Sequence, residues 1–109
     1  MHSLLLLVAL TNQITFNVDQ QGEIYTIIPQ VTLSQPCDCQ VQIQTLRQGQ
    51  GGTSQIQQSK QVSLPANQAI DLPKLSINLT PEDTVSIVVT VTDGQSLHLS
   101  QQWVSASKA

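Results

Sequence analysis

The stretch VSIVVTVTDGQSLHLSQQW, residues 85–103, decides the fold class. Val85, Ile87, Val89 and Val91 share one parity, and Val88 adds an apolar side chain to the other face. Strict alternation of this kind marks an extended strand with one face buried, because successive side chains point to opposite sides. Asp93-Gly94 reads as a two-residue hairpin turn. Leu97, Leu99 and Trp103 resume the alternation on the returning strand.

The same period recurs on either side. Ile14, Phe16 and Val18 alternate with polar residues, and the apolar run from Ile24 to Ile28 ends at Pro29, with Val31 and Leu33 beyond it. Cys37, Cys39, Val41 and Ile43 take one parity, while Asp38, Gln40, Gln42 and Gln44 take the other. Ile56, Val62 and Leu64 suggest a weaker strand, and Leu75, Ile77 and Leu79 a clear one. Gln21-Gly22, the flexible Gly49-Gln50-Gly51-Gly52 connection and Pro65-Ala66-Asn67 punctuate the series. Thr80-Pro81-Glu82-Asp83 carries the signal of a short helical turn, with Thr as cap and Pro in the first position. About seven short strands at this spacing predict an all-β chain, an immunoglobulin-like β-sandwich of antiparallel strands. The antibody-type inter-sheet disulfide is absent, since the only two cysteines stand two apart and Trp103 is in the last strand.

Composition narrows the function classes. The chain has 109 residues, enough for one domain, with 10% charged residues and a net charge of −3. That balance excludes the basic footprint of a nucleic-acid binder and the charged faces of a coiled coil. Gln fills 18 positions, many of them on outward parities, so the expected surface is polar but neutral. Residues 4–10 form an apolar run too short to span a bilayer. It reads as a short secretory leader over residues 1–9, cut near Val8 or Ala9. The folded domain is then expected over 10–104 and a flexible tail over 105–109.

One feature carries chemistry, Cys37-Asp38-Cys39. Residues two apart on a strand lie about 6.6 Å apart at Cα, at the upper limit for a disulfide. Such a bridge closes almost no loop, so it is a redox feature before it is a staple. Three readings stand: two buried small residues in a core strand, a labile dithiol at a strand start after Pro36, or a metal site. The metal reading lacks ligands, since only His98 remains beside the cysteines once His2 leaves with the leader. No cofactor and no catalytic residue are expected. A phosphate loop, carboxylate pair and nucleophile elbow are all missing from the sequence, and the chain reads as a non-enzyme unless the thiols act.

Further motifs carry a resemblance. Leu4-Leu5-Leu6-Leu7, Tyr25-Thr26-Ile27-Ile28-Pro29, Cys37-x-Cys39, Ser63-Leu64-Pro65-Ala66-Asn67-Gln68 and the run from Asp93 to Trp103 together resemble the CsgC family of curli assembly proteins. The resemblance covers nearly the whole chain and is weakest over residues 48–60. It implies a small periplasmic immunoglobulin-like protein of Gram-negative bacteria. It also implies action in the system that secretes amyloid curli subunits, keeping the major subunit from polymerising before export. The implied partner is that disordered subunit, with no nucleic acid and no stable membrane insertion. For the C-x-C pair it implies a redox role.

Amyloid grows by adding strands to open backbone edges, and a sandwich has edges of its own to offer a disordered client. Arg47, Lys60 and Lys74 are the cations expected to attract an acidic client. Two other functions compete. A thiol-disulfide protein would act through Cys37 and Cys39. A fibre subunit would need repeats of fixed period, and none is visible.

Overall fold

The computed structural model describes residues 12–105; the expected leader lies outside the described residues. Within them the chain is all β, in eight strands: β1 (Gln13–Gln21), β2 (Ile24–Thr32), β3 (Cys37–Gly49), β4 (Gly52–Leu64), β5 (Ile70–Asp71), β6 (Leu75–Asn78), β7 (Thr84–Thr92) and β8 (His98–Val104). They form two four-stranded antiparallel sheets. One runs β1-β2-β5 with β6 also paired to β2, and the other runs β4-β3-β7-β8.

The stripe that dominates the sequence sits at the centre of the second sheet. Val85, Ile87, Val89 and Val91 are all at most 1% exposed. They share the core with Val41 and Ile43 of β3 and with Ile27 and Val31 of the opposite sheet. β-Branched side chains suit these positions because their restricted rotamers pack well on a pleated surface. Tyr25 of β2 and Trp103 of β8 meet in a tilted arrangement, ring centroids 6.0 Å apart, tying the two sheets together.

Pro29 does not end a strand. β2 runs through it, and Pro29 pairs with Phe16 of β1. The Leu72 N–H donates to the Pro29 carbonyl at 2.8 Å, so this residue's backbone polar atoms turn away from β1. On that side β6 reaches only Ile27 and β5 begins only at Gln30. The missing N–H of Pro29 therefore falls in the gap between two short partner strands, where no ladder bond is lost.

Three turns differ from their sequence reading. Gly49-Gln50-Gly51-Gly52 is a tight hairpin: Gly49 pairs with Gly52, and thirteen-residue strands run to either side. Asp93-Gly94 opens a longer loop, because β8 begins only at His98. The Asp93 carboxylate accepts from the Gln95 and Leu97 N–H groups at 2.7 and 3.0 Å, and this local bonding competes with a two-residue turn. Thr80 to Asp83 is a single turn rather than a helical one, closed by the Asp83 N–H on the Thr80 carbonyl. Gly22 does sit in the first hairpin turn, at φ 63°, where a side chain would be strained. Ser105, expected to begin the tail, is buried: its N–H donates to the Val85 carbonyl and its Oγ accepts from the Val85 N–H.

The packing predicts that Ile87→Ala, at a side chain with no exposure, lowers unfolding free energy by about 2–5 kcal/mol in urea titrations. Ile56→Ala, at 54% exposure, should change it by less than about 0.5 kcal/mol.

Candidate functional site

The Cys37–Cys39 pair lies at the start of β3, where that strand has one neighbour only. β4 pairs with it from Cys37 onward, whereas β7 joins at Gln40. Freed from one ladder, the backbone draws in, and the two Cα atoms stand 5.4 Å apart, joined by a disulfide. That separation is inside the usual disulfide range and below the value for a fully extended strand. The two sulfurs have different surroundings. Cys39 has no exposure and belongs to the core, while Cys37 is half-buried. Cys37 lies between two clefts, one of about 470 Å³ reaching Asp93 and Leu97 and one of about 430 Å³ bordered by Ser63 and Pro65. Asp38 lines both clefts, and its carboxylate accepts from the Ser63 hydroxyl at 2.7 Å. His98, exposed at the start of β8, opposes Thr92.

The three cations do not form one patch. Arg47 opposes Ser54 in the β3–β4 ladder while Lys60 opposes Val41. Six residues of strand separate them, about 20 Å at the usual rise. Arg47 holds the β6–β7 turn: its Nη2 donates to the Asn78 carbonyl at 2.7 Å and to the Asp83 carboxylate at 2.9 Å. The guanidinium bond, reinforced by the Thr80 N–H, holds the Asp83 carboxyl below the ordinary 3.8. Gly49 is the close approach here, because a Cβ at that position would run into Asp83 Oδ1. Lys60 lies with Leu72 and Pro73 along a small groove, and Lys74 follows Pro73 in the chain.

The outer face of the second sheet is a field of neutral polar side chains. Across the register Gln61, Gln40, Thr92 and His98 form one row, and Ser59, Gln42, Thr90 and Ser100 the next. Cross-strand bonds hold parts of it, Gln40 Nε2 donating to Ser59 Oγ and Gln102 Nε2 to Ser86 Oγ. The largest departure from the sequence reading is β4. Every residue from Gly52 to Gln61 is exposed on both faces, and the strand forms the open margin of its sheet. Polar residues at both parities over residues 52–61, broken by Ile56 alone, were the available signal for this. A strand without a buried face has no alternation to detect.

The family model described as thin aggregative fimbriae synthesis protein matches residues 5–103. The curli assembly protein CsgC of Salmonella typhimurium is 66% identical over 103 residues, covering 94% of this chain and 95% of that protein. Its counterpart in Escherichia coli K12 is 64% identical over 108 residues, with 99% and 98% coverage. The solved structure of the E. coli curli protein CsgC superposes with a TM-score of 0.81 at 66% identity, over 85% of this chain and 98% of that one. The solution structure of R. palustris CsgH superposes with a TM-score of 0.66, over 84% of this chain and 90% of that one. At 16% identity that second likeness is one of fold alone.

The Arg47–Asp83 pair generates a pH prediction. Asp83 has a depressed pKa when folded, so its contribution is complete above the ordinary 3.8 and fades as pH falls through the folded value. The stability difference between the wild type and Asp83→Asn should hold steady near neutrality and narrow below about pH 4 in acid unfolding curves. Gly49→Ala, which crowds the same carboxylate, should lower stability at neutral pH and show the same narrowing.

Proposed function

The chain belongs to the CsgC family of curli assembly proteins, and from that premise we propose that it binds the amyloid-forming curli major subunit in the periplasm and keeps it from polymerising before export. The observation that carries this reading is the pairing of an open strand margin with a neutral, hydrogen-bonding surface. β4 offers unpaired backbone to an extended chain, and backbone pairing is the interaction by which amyloid subunits add to one another. A client engaged on such an edge is withheld from its own kind. The sandwich does not propagate the pairing, because its strands are fixed by the buried core. The contact acts through binding, so the chain works without a reaction of its own.

Electrostatics contributes to encounter. Lys60 and Lys74 remain for an acidic client, whereas Arg47 is largely occupied by Asp83. Exposed cations attract at long range and are screened at physiological salt, so their role is in association rate.

A second reading rests on the disulfide. Cys37 is the sulfur that an incoming thiolate can reach, which would free Cys39 as the leaving thiolate and pass the oxidation to the partner's thiol pair. The acidic neighbours Asp38 and Asp93 disfavour a thiolate at this end of the sheet, which ranks the redox reading second.

The deciding measurement is fibre formation by the purified curli major subunit, followed by thioflavin fluorescence with substoichiometric amounts of this protein. A lengthened lag supports the binding reading, and an unchanged lag overturns it. The Cys37→Ser/Cys39→Ser variant should lengthen the lag as well as the wild type does; loss of the effect would promote the redox reading. Lys60→Gln/Lys74→Gln should weaken the effect at low salt more than Arg47→Gln does.

A further inference from the structure

The open margin of β4 and the groove behind it form one surface, and their geometry specifies its ligand. The β3–β4 ladder fixes which backbone groups of β4 are free. In an antiparallel pair, residues alternate between exchanging both bonds with the partner and turning both groups away. At the far side of this sheet, the Asp93 N–H donates to the Leu97 carbonyl and the Ser105 N–H to the Val85 carbonyl. Those two bonds set the phase: odd-numbered β7 residues bond β8, and even-numbered ones bond β3. Thr90 therefore bonds Gln42, and Gln42 in turn faces away from Ser59. The tight Gly49–Gly52 hairpin sets the same phase from the other end. Gln55, Gln57, Ser59 and Gln61 consequently present their N–H and C=O groups to the open margin.

The groove lies beneath this margin, on the inward side of β4. Val41, Ile43, Val62, Leu72 and Pro73 line it, with Lys60 beside them, and its volume is about 170 Å³. A strand added to β4 would turn every second side chain into this groove. Lys60 and Lys74 are the charges of this region that lack an ion pair among the described residues. The nearby acid, Asp71, is engaged by Gln30 Nε2 at 2.7 Å.

We infer that β4 is the docking strand of this protein and takes an extended, acidic polypeptide segment that alternates apolar with polar residues. The segment pairs its backbone with Gln55, Gln57, Ser59 and Gln61. Its apolar side chains enter the groove at Leu72 and Pro73, and its carboxylates meet Lys60 and Lys74. This rests on the binding reading above and deepens it by naming the strand and the chemistry of the client.

The test uses the isotope-labelled full chain and two probes, an octapeptide alternating valine with glutamate and its valine–lysine counterpart. The acidic peptide should shift or broaden amide resonances over residues 53–61 together with those of Leu72 and Lys74, and the basic one should not. Ser59→Pro removes an N–H directed to solvent and spares the β3 ladder, so the fold should persist. It should weaken acidic-peptide binding at least about threefold, and shorten the lag extension in the thioflavin assay. If Ser59→Pro fails to fold, the resonance mapping on the wild type carries the test. Shifts confined to β1, to β8 or to the disulfide end overturn the inference, as does equal binding of both peptides. Shifts over β4 that appear on concentrating the protein alone assign the edge to a second copy and overturn it too. A wild type that delays fibres while leaving β4 unperturbed refutes this inference and spares the binding reading. One that has no effect on fibres refutes both.

Discussion

Burial of the β7 stripe is the constraint on which the rest of the molecule depends. Ile87, Val89 and Val91 have no exposure, and Val85 has 1%. With side chains at period two, a slip of one residue would turn all four into solvent. At about 25 cal/mol per Å² of apolar surface, no alternative register could recover that loss. The position of β7 in turn dictates those of β3 and β8 through two ladders. Its inward face fixes where Ile27 and Val31 of the opposite sheet must lie.

Because the core alone holds the fold, the perimeter is released from structural duty. The outer face of the second sheet carries Gln, Ser and Thr, whose hydrogen bonds are satisfied by one another or by water. β4 goes further: held by one ladder and buried on neither face over residues 52–61, it is a strand by pairing alone. Natural sheets usually blunt such an edge with charge, proline or a covering element. Here Lys60 is the one charge over residues 52–61, and there is no proline in that span. A protein of curli assembly has a use for an edge that stays open. The disulfide sits at the opposite end of the same hairpin, joined to the core through Cys39.

What could be read from the residues follows from how strongly each segment is buried. The parity of Cys37, Cys39, Val41 and Ile43 marks an inward face that the structure buries, Cys37 only in part. Pro29 misled because a proline normally interrupts a ladder; that both flanking partners stop short of it is a property of β5 and β6, far along the chain. Arg47 read as a free cation because nothing local marks Asp83, thirty-six residues on, as its partner. The Asp93 loop was hidden by a short-range turn signal that the carboxylate's own bonds to Gln95 and Leu97 override.

The sequence by itself determined the all-β class, the identity of the core stripe and the neutral character of the surface. Each of these rests on period-two chemistry within a few neighbouring residues. Tertiary structure decided which strands lie at the margins, which cations are occupied and how far β4 extends. It also decided that Cys37 and Cys39 differ in access. These depend on pairing between distant segments, and a side chain's exposure is set by what covers it as much as by its own kind.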